Sequence, residues 1–466
     1  MMLAELAQEV RDGRIAPDEL VARSLRRIEA SDGDLNAVVT LRDEAALADA
    51  TAMAHRIAAG RDPGPLAGLP LLVKDSEDVA GLVTTHGSLV HADDQPASAD
   101  GLVVARLRGA GAIVVGKTNV PEFEFEGYTA NRLFGATRNP RAPDWSPGGS
   151  SGGSGAALAA GMAPIATGSD GGGSVRIPAA FCGLAGLKPT NGVIGRRPIP
   201  AWMDFSTKGA MGTSIADVRL LLEIMAGPAA GDPTALPGGL PQPGALELPR
   251  RVYATPRFAP WGSLPAPLED LFDSALRALE TDLGLSVASM EPRDIYPDGN
   301  VDDDWFTIVA AEHAQFLGRE EIESRQGLYT EEFAAGVRAG LGVSIEEYLT
   351  ARRRRFEYVR RLDDLLGADG LLLSPTMCAE GWSPEGIPPG ESSPGTPGDA
   401  YNTQAANVTG HPALSVPAGL APNGVPFGLQ ITGPRFRDDL VLAMGEAWER
   451  ARPWRLAAPG YESFAP

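Results

Sequence analysis

The sequence predicts an α/β protein. Short apolar runs alternate with helix-period segments along most of the chain. Glycine-rich turns join strand ends to helix starts. The composition, 43% hydrophobic over 466 residues, is ample for a large core.

The elements follow in order. "APDELVARSLRRIEASD" (16–32) has Leu20, Val21, Leu25 and Ile28 at helical spacing, with acids in its first turn. "LNAVVTL" (35–41) reads as a strand and "DEAALADATAMAHRIAAG" (43–60) as a helix ending at glycine. "GLPLLVKD" (68–75) is a buried strand that ends in a lysine, and 101–116 reads helix, turn, strand. "SPGGSSGGSGAALAAG" (146–161) sets serines among glycines ahead of an alanine-rich helix, and "APIATGSDGGGSVRIPAAF" (163–181) reads strand, glycine loop, helix start. Beyond the Pro/Gly-rich stretch 227–249 the alternation resumes. A strand is expected at 251–254, helices around 266–282, 302–317 and 344–366, and a strand at 370–374. The stretch 383–399 is another Pro/Gly loop. Two buried strands in 412–433 and a helix around 437–450 complete the chain. Length alone suggests about three domains. Because the same element types flank 227–249, one unit spanning 1–466 is expected instead, with a catalytic core at about 65–225.

Bulk properties exclude several classes. Forty Lys and Arg against 60 Asp and Glu give a net charge of −20, which leaves no electrostatic footprint for nucleic acid or an anionic membrane. Cys182 and Cys378 are too few and too far apart for a disulfide framework and suit a reducing compartment. The start "MMLAELAQEVRDGR" carries early acids and is not a signal peptide, and no apolar run approaches the ~18 residues of a membrane span. A soluble, cytoplasmic protein is expected.

Several motifs match by letter and fail on physical context. "GAIVVGKT" (111–118) fits a phosphate-loop pattern, but its variable residues Ala-Ile-Val-Val form the strand itself rather than a loop after it. Gly149 to Gly153 fits G-x-S-x-G, yet the polar, proline-broken "RNPRAPDWSP" precedes it where a central strand is required. The five histidines lack metal spacing, and each reads as a surface or core-satisfied residue. "RRRR" (352–355) reads as a solvated helix face and Cys182 as a small buried residue.

Two segments carry chemistry. In "TGSDGGGSVRIPAAFCG" (167–183) a strand delivers Asp170, three glycines and Ser174 as a helix begins. The backbone N–H groups of Gly171, Gly172, Gly173 and Ser174 can then converge on a developing oxyanion, a hydroxyl sharing the same turn. A plain helix cap weighs equally on this segment alone. A reacting serine needs a base. Lys74 ends the apolar run Leu69-Pro70-Leu71-Leu72-Val73, where burial would lower its pKa toward use, unless it snorkels to solvent.

Lys74 in "GLPLLVKDSEDVAG", the paired serines of "PGGSSGGSGAA" and "GSDGGGSVRIPAAFCGLAGLKPT", with Ser150 preceding Ser174 by 24 residues, together resemble the amidase signature family. The resemblance extends to "GKTNVPEF", "NPRAPDWSPGG" and the C-terminal "GHPALSVPAG…GVPFGLQITGP", with little signal between 230 and 400. It implies a large, mixed, twisted β-sheet sandwiched between α-helices. It also implies hydrolysis of a small-molecule amide to carboxylate and amine or ammonia through an acyl-enzyme. Ser174 would be the nucleophile, Ser150 the bridging serine after a cis peptide, and Lys74 the base. Residues Gly171, Gly172, Gly173 and Ser174 would form the oxyanion hole, and Ser151, Asp170 and Arg176 would support the loops. Neither a metal nor an organic cofactor is implied, and a homodimer is compatible. Position 171 is Gly where many relatives carry Thr, Ile or Gln, so a less bulky pocket floor is expected, with a weak pointer to aryl or aminohexanoate-type amides. Position 177 is Ile where the glutamyl-tRNA amidotransferase A subunits usually have Gln, which weakens that alternative, as does the acidic charge. "EFEFEG" (122–127) aligns with a segment lining the acyl pocket. Glu124 and Glu126 are therefore candidates for facing a cationic substrate, against the plainer reading of a surface pair.

Overall fold

The chain is described by a computed structural model covering residues 1–237, 240, 247–257, 264–295, 301–325, 327–389, 391–392, 394 and 402–465. Its strands in chain order are β1 (Val38–Leu41), β2 (Pro70–Lys74), β3 (Ile113–Thr118), β4 (Ala130–Asn131), β5 (Gly135–Ala136), β6 (Ile165–Ala166), β7 (Gly168–Asp170), β8 (Ala185–Lys188), β9 (Thr207–Gly212), β10 (Arg251–Ala254), β11 (Ser286–Ser289), β12 (Leu372–Pro375), β13 (Ala413–Leu420) and β14 (Pro426–Thr432). Eight of them form a mixed sheet in the order β11-β10-β12-β14-β13-β8-β9-β7, and four form a second in the order β1-β3-β2-β6. Only Thr167 separates β6 from β7, so one extended segment belongs to both sheets. The expected α/β architecture is observed.

Alternation along β13 gives the layers. Leu414 points toward Gly445 of the helix Asp438–Ala451, while Ser415 lies on the opposite face beside Ala180 of the helix Arg176–Cys182. Helices Ile215–Met225 and Ala266–Leu283 join the first of these layers. Leu414, Leu429 and Ile431 are wholly buried between sheet and helices, worth roughly 1.5–3 kcal/mol each. Strand β2 is buried at every residue because β3 and β6 flank it in parallel.

The Pro/Gly-rich stretch from 227 is fastened to the core where it is described: Ile194 and Gly227 form a β-bridge, and buried Asp232 pairs with Arg196 at 3.2 Å. Residues 238–239 and 241–246 of that stretch, and 390, 393 and 395–399 of the second Pro/Gly loop, lie outside the described residues. "RRRR" is not a solvated face. Arg352 and Arg355 both pair with Asp204, at 2.6 and 2.9 Å, and Arg354, though exposed like Arg353, pairs with buried Asp304. These acids sit far away in sequence, beyond the reach of helical periodicity. Among the described residues no helix is long and apolar enough to cross a membrane.

Candidate active site

The site is built from the C-terminal end of β2. There the chain turns a lysine into a fully buried interior: Lys74 is 0% exposed. Its backbone N–H donates to Thr167 Oγ1 at 2.9 Å, which ties β2 to the junction of the two sheets. Its ammonium donates to Ser150 Oγ and Ser169 Oγ, both at 2.8 Å, and lies 3.2 Å from Glu124 Oε2. Ser169 Oγ in turn donates to the same Glu124 oxygen at 2.7 Å. Burial pushes the Lys74 pKa below its ordinary value, and the ammonium of Lys208 adds to this, while Glu124 pulls it back up. Burial alone would raise the Glu124 carboxyl, but Lys74 holds it well below the usual carboxylate range. The neighbouring lysine of the phosphate-loop look-alike has a different fate. "GKT" is the end of β3, and Lys117 is spent on Asp75 at 2.6 Å and on the Val83 carbonyl at 2.9 Å.

Ser150 reaches Lys74 from a turn in which the Gly149–Ser150 peptide is cis. A side chain at 149 has no room, since an added Cβ would lie 2.4 Å from the Tyr128 carbonyl oxygen. Ser151 joins the two serine loops: its N–H donates to the Ser174 carbonyl at 3.2 Å, and its Oγ contacts the Ser169 backbone at 3.4 Å.

Ser174 ends the glycine turn after β7 and faces the same cavity as Ser150 and Ser169. Asp170, buried at the head of this turn, folds it. Its carboxylate accepts the Gly173 N–H at 2.9 Å and the Val175 N–H at 3.2 Å, and takes the Arg176 guanidinium at 2.9 and 2.7 Å. Arg176 holds Asp170 down to about pH 2 against the opposing effect of burial. One member of the expected oxyanion set is thereby committed: the Gly173 N–H serves Asp170. Among the described residues no acceptor meets the N–H groups of Gly171, Gly172 or Ser174.

The turn also has fastenings outside the expected core at about 65–225. The turn is clamped from far downstream, where sequence spacing gave no signal. Thr403 Oγ1 donates to the Gly172 carbonyl, Trp305 Nε1 donates to the Gly171 carbonyl at 2.9 Å, and Asn407 Nδ2 donates to the Asp170 carbonyl at 3.0 Å. The less bulky pocket floor is also not what forms. The space a side chain at 171 would take is filled by Trp202, whose ring lies 2.3 Å from an added Cβ. Trp202 Nε1 donates to His313 Nδ1 at 2.6 Å, and burial lowers the His313 pKa to about 4.

The cavity has a volume of about 400 Å³. Phe123, Trp202, Phe316, His86, His91 and His313 give it an aromatic wall. Glu124 faces it and Glu126 does not line it. Three of the five histidines thus border the site, although none is close enough to Lys74, Ser150 or Ser169 to be a hydrogen-bond partner there.

Similarity to known proteins agrees with this geometry. A family model described as Amidase matches residues 19–442. An acylamidase of Rhodococcus erythropolis is 34% identical over 470 residues, covering 98% of this chain and 96% of its own. The crystal structure of a bacterial aryl acylamidase of the amidase signature family superposes with a TM-score of 0.85 at 28% identity, covering 97% of this chain and 96% of that one. A 6-aminohexanoate cyclic dimer hydrolase superposes with a TM-score of 0.83 at 29% identity, covering 99% and 98%. Buried lysine, serine turns and near full-length similarity converge: the chain belongs to the amidase family, as an amidase signature enzyme that hydrolyses amide C–N bonds.

Proposed function

We propose that this enzyme cleaves small-molecule amides through an acyl-enzyme formed on Ser174, with Ser150 and Lys74 moving the proton. The observation that carries the reading is a fully buried Lys74 with its Nζ 2.8 Å from Ser150 Oγ, at a cavity into which Ser174 opens. Neutral Lys74 accepts the Ser150 proton as Ser150 accepts that of Ser174, and the Ser174 Oγ–carbonyl bond forms. The oxyanion of the tetrahedral intermediate is met by the N–H groups of Gly171, Gly172 and Ser174. Gly173 keeps the turn in shape through Asp170. The C–N bond then breaks, and the proton held on Lys74 returns through Ser150 to the leaving amine. Water attacks the ester by the same relay, releasing carboxylate and Ser174.

The aromatic wall favours an aryl or otherwise apolar group on one side of the amide. The aryl acylamidase and aminohexanoate relatives are consistent with that choice. The decisive test labels the enzyme with a fluorophosphonate and maps the adduct. Ser174 is expected to carry it, Lys74→Ala to abolish labelling near neutral pH, and Ser174→Ala to lose hydrolysis of anilides and aliphatic amides. Labelling of Ser150 or Ser151 would overturn the assignment of roles. Release of ammonia from glutamine, with anilides untouched, would point to an amidotransferase A subunit instead.

A further inference from the structure

Glu124 divides its carboxylate between two tasks. Oε2 accepts hydrogen bonds from Ser169 and contacts the Lys74 ammonium. Oε1 has no donor within hydrogen-bond distance among the described residues, and His86 Nδ1 stands 3.9 Å from it. The fold goes out of its way to hold this side chain at the cavity. Phe123 and Glu124 are consecutive non-glycine residues with left-handed backbone, φ 48° and 63°. The Phe123 ring is stacked between His86 and Phe333, at 5.9 and 4.7 Å.

A second carboxylate on the same cavity is only half answered. The Glu77 side chain is buried, its Oε2 lies 3.4 Å from Lys208 Nζ, and its buried Oε1 has no hydrogen-bond partner. Of the cations on the cavity, Lys208 is held by Glu77 and Arg196 by Asp232, and Arg197 forms an ion pair with neither Glu124 nor Glu77 among the described residues. Aromatic faces and unpaired carboxylate oxygens in one enclosure are the chemistry of an ammonium site.

Building on the amidase reading above, we propose that the preferred substrates are amides bearing a protonated amine, and that Glu124 receives this ammonium through Oε1 and thereby loosens its hold on Lys74. Glu124 is then a specificity residue that also positions charge around the base. The groups facing Lys74 are Glu124, Lys208 and Glu77, and those facing Glu124 include His86, His313 and Lys208. By itself the Glu124 charge favours the ammonium form of Lys74, which cannot accept a proton. A substrate cation against Glu124 offsets that charge and adds repulsion toward Lys74, so the base loses its proton at lower pH. Binding and activation would come from one contact.

The test compares an ω-aminoalkanoyl anilide with its uncharged, methyl-terminated twin, recording kcat/KM against pH. The wild-type enzyme is expected to favour the cationic anilide by about 10- to 100-fold, the range of a charge-assisted hydrogen bond. It should also begin to cleave that substrate at lower pH than the twin. Glu124→Gln, which keeps the shape and removes the charge, should erase the preference and move the twin's profile toward acid. Equal rates on both substrates, with hydrolysis of the twin lost in Ser174→Ala, overturn this inference and leave the amidase reading standing. A preference that survives Glu124→Gln overturns the assignment to Glu124. Failure to cleave either anilide, with no labelling of Ser174, overturns both.

Discussion

Asp170 and Arg176 face each other as a wholly buried, two-pronged ion pair, Oδ2 to Nε at 2.9 Å and Oδ1 to Nη2 at 2.7 Å, across the turn that carries Ser174. The pair shapes the turn from inside. Asp170 also holds the Gly173 and Val175 N–H groups, and Arg176 extends to the Thr403 carbonyl and to Gln430 and Asn407.

Removing one partner leaves an unanswered charge in the interior, which costs about 3–5 kcal/mol. Asp170→Asn is therefore expected to lower the unfolding free energy measured in urea by that amount and to reduce kcat, since the turn loses its brace. The ion pair also sets an acid limit. The folded-state pKa of Asp170, about 2, lies below the unfolded value of roughly 3.9. Its stabilisation is thus present above pH ~4 and lost as pH falls toward 2, a dependence that the Asn variant should lack. Unfolding curves between pH 2 and 5 for both proteins check this, and matching curves would remove the argument.

Gly171 and Trp202 occupy one volume between them. An added methyl group at 171 meets the indole Cε3 at 2.3 Å, and the ring is not free to turn because its N–H is bonded to His313. Gly171→Ala is expected to cost about 1–3 kcal/mol, as overpacking of a filled site does. It should lower kcat/KM for anilides as the ring is forced into the cavity. Thermal unfolding and a series of ring-substituted anilides measure the two effects. An Ala variant indistinguishable from the parent would show that the ring yields freely.

His313 must be neutral to accept from Trp202. Its folded-state pKa of about 4 lies below the unfolded value of roughly 6.5, so the unfolded chain binds more protons between these limits. Stability is accordingly expected to fall as pH drops from 6.5 toward 4, by up to about 3 kcal/mol. His313→Gln, which does not titrate, should flatten that window. Urea midpoints at pH 7 and pH 4.5 decide it, and an equal acid loss in the Gln variant would sink the assignment.

Much of the site could be read in advance because its parts are local. A lysine closing a run of apolar residues is either buried with its strand or snorkels to solvent, and Lys74 is buried. Asp170, the glycines and Ser174 lie within one turn, so their convergence follows from chain geometry. The illegible parts are those made by distant residues. Trp202 fills the space opposite Gly171, and nothing near either position announces the other. The Gly173 N–H is taken by a side chain three residues earlier, a bond that backbone reasoning alone omits. "RRRR" carries its acids nearby in sequence but pairs with Asp204 and Asp304, which only the folded chain brings within reach. Glu124 was legible as a candidate charge on the pocket, against the plainer reading of a surface pair, whereas its ion pair with Lys74 was not.

The clamp on the Ser174 turn has a bearing on how the enzyme is born. Thr403, Asn407 and Gln430 hold a turn that leaves the ribosome more than 200 residues before them. During synthesis the lysine and both serine segments exist long before their fastenings do. A nascent chain would therefore carry Lys74, Ser150 and Ser174 in order and still lack the bonds that fasten the turn.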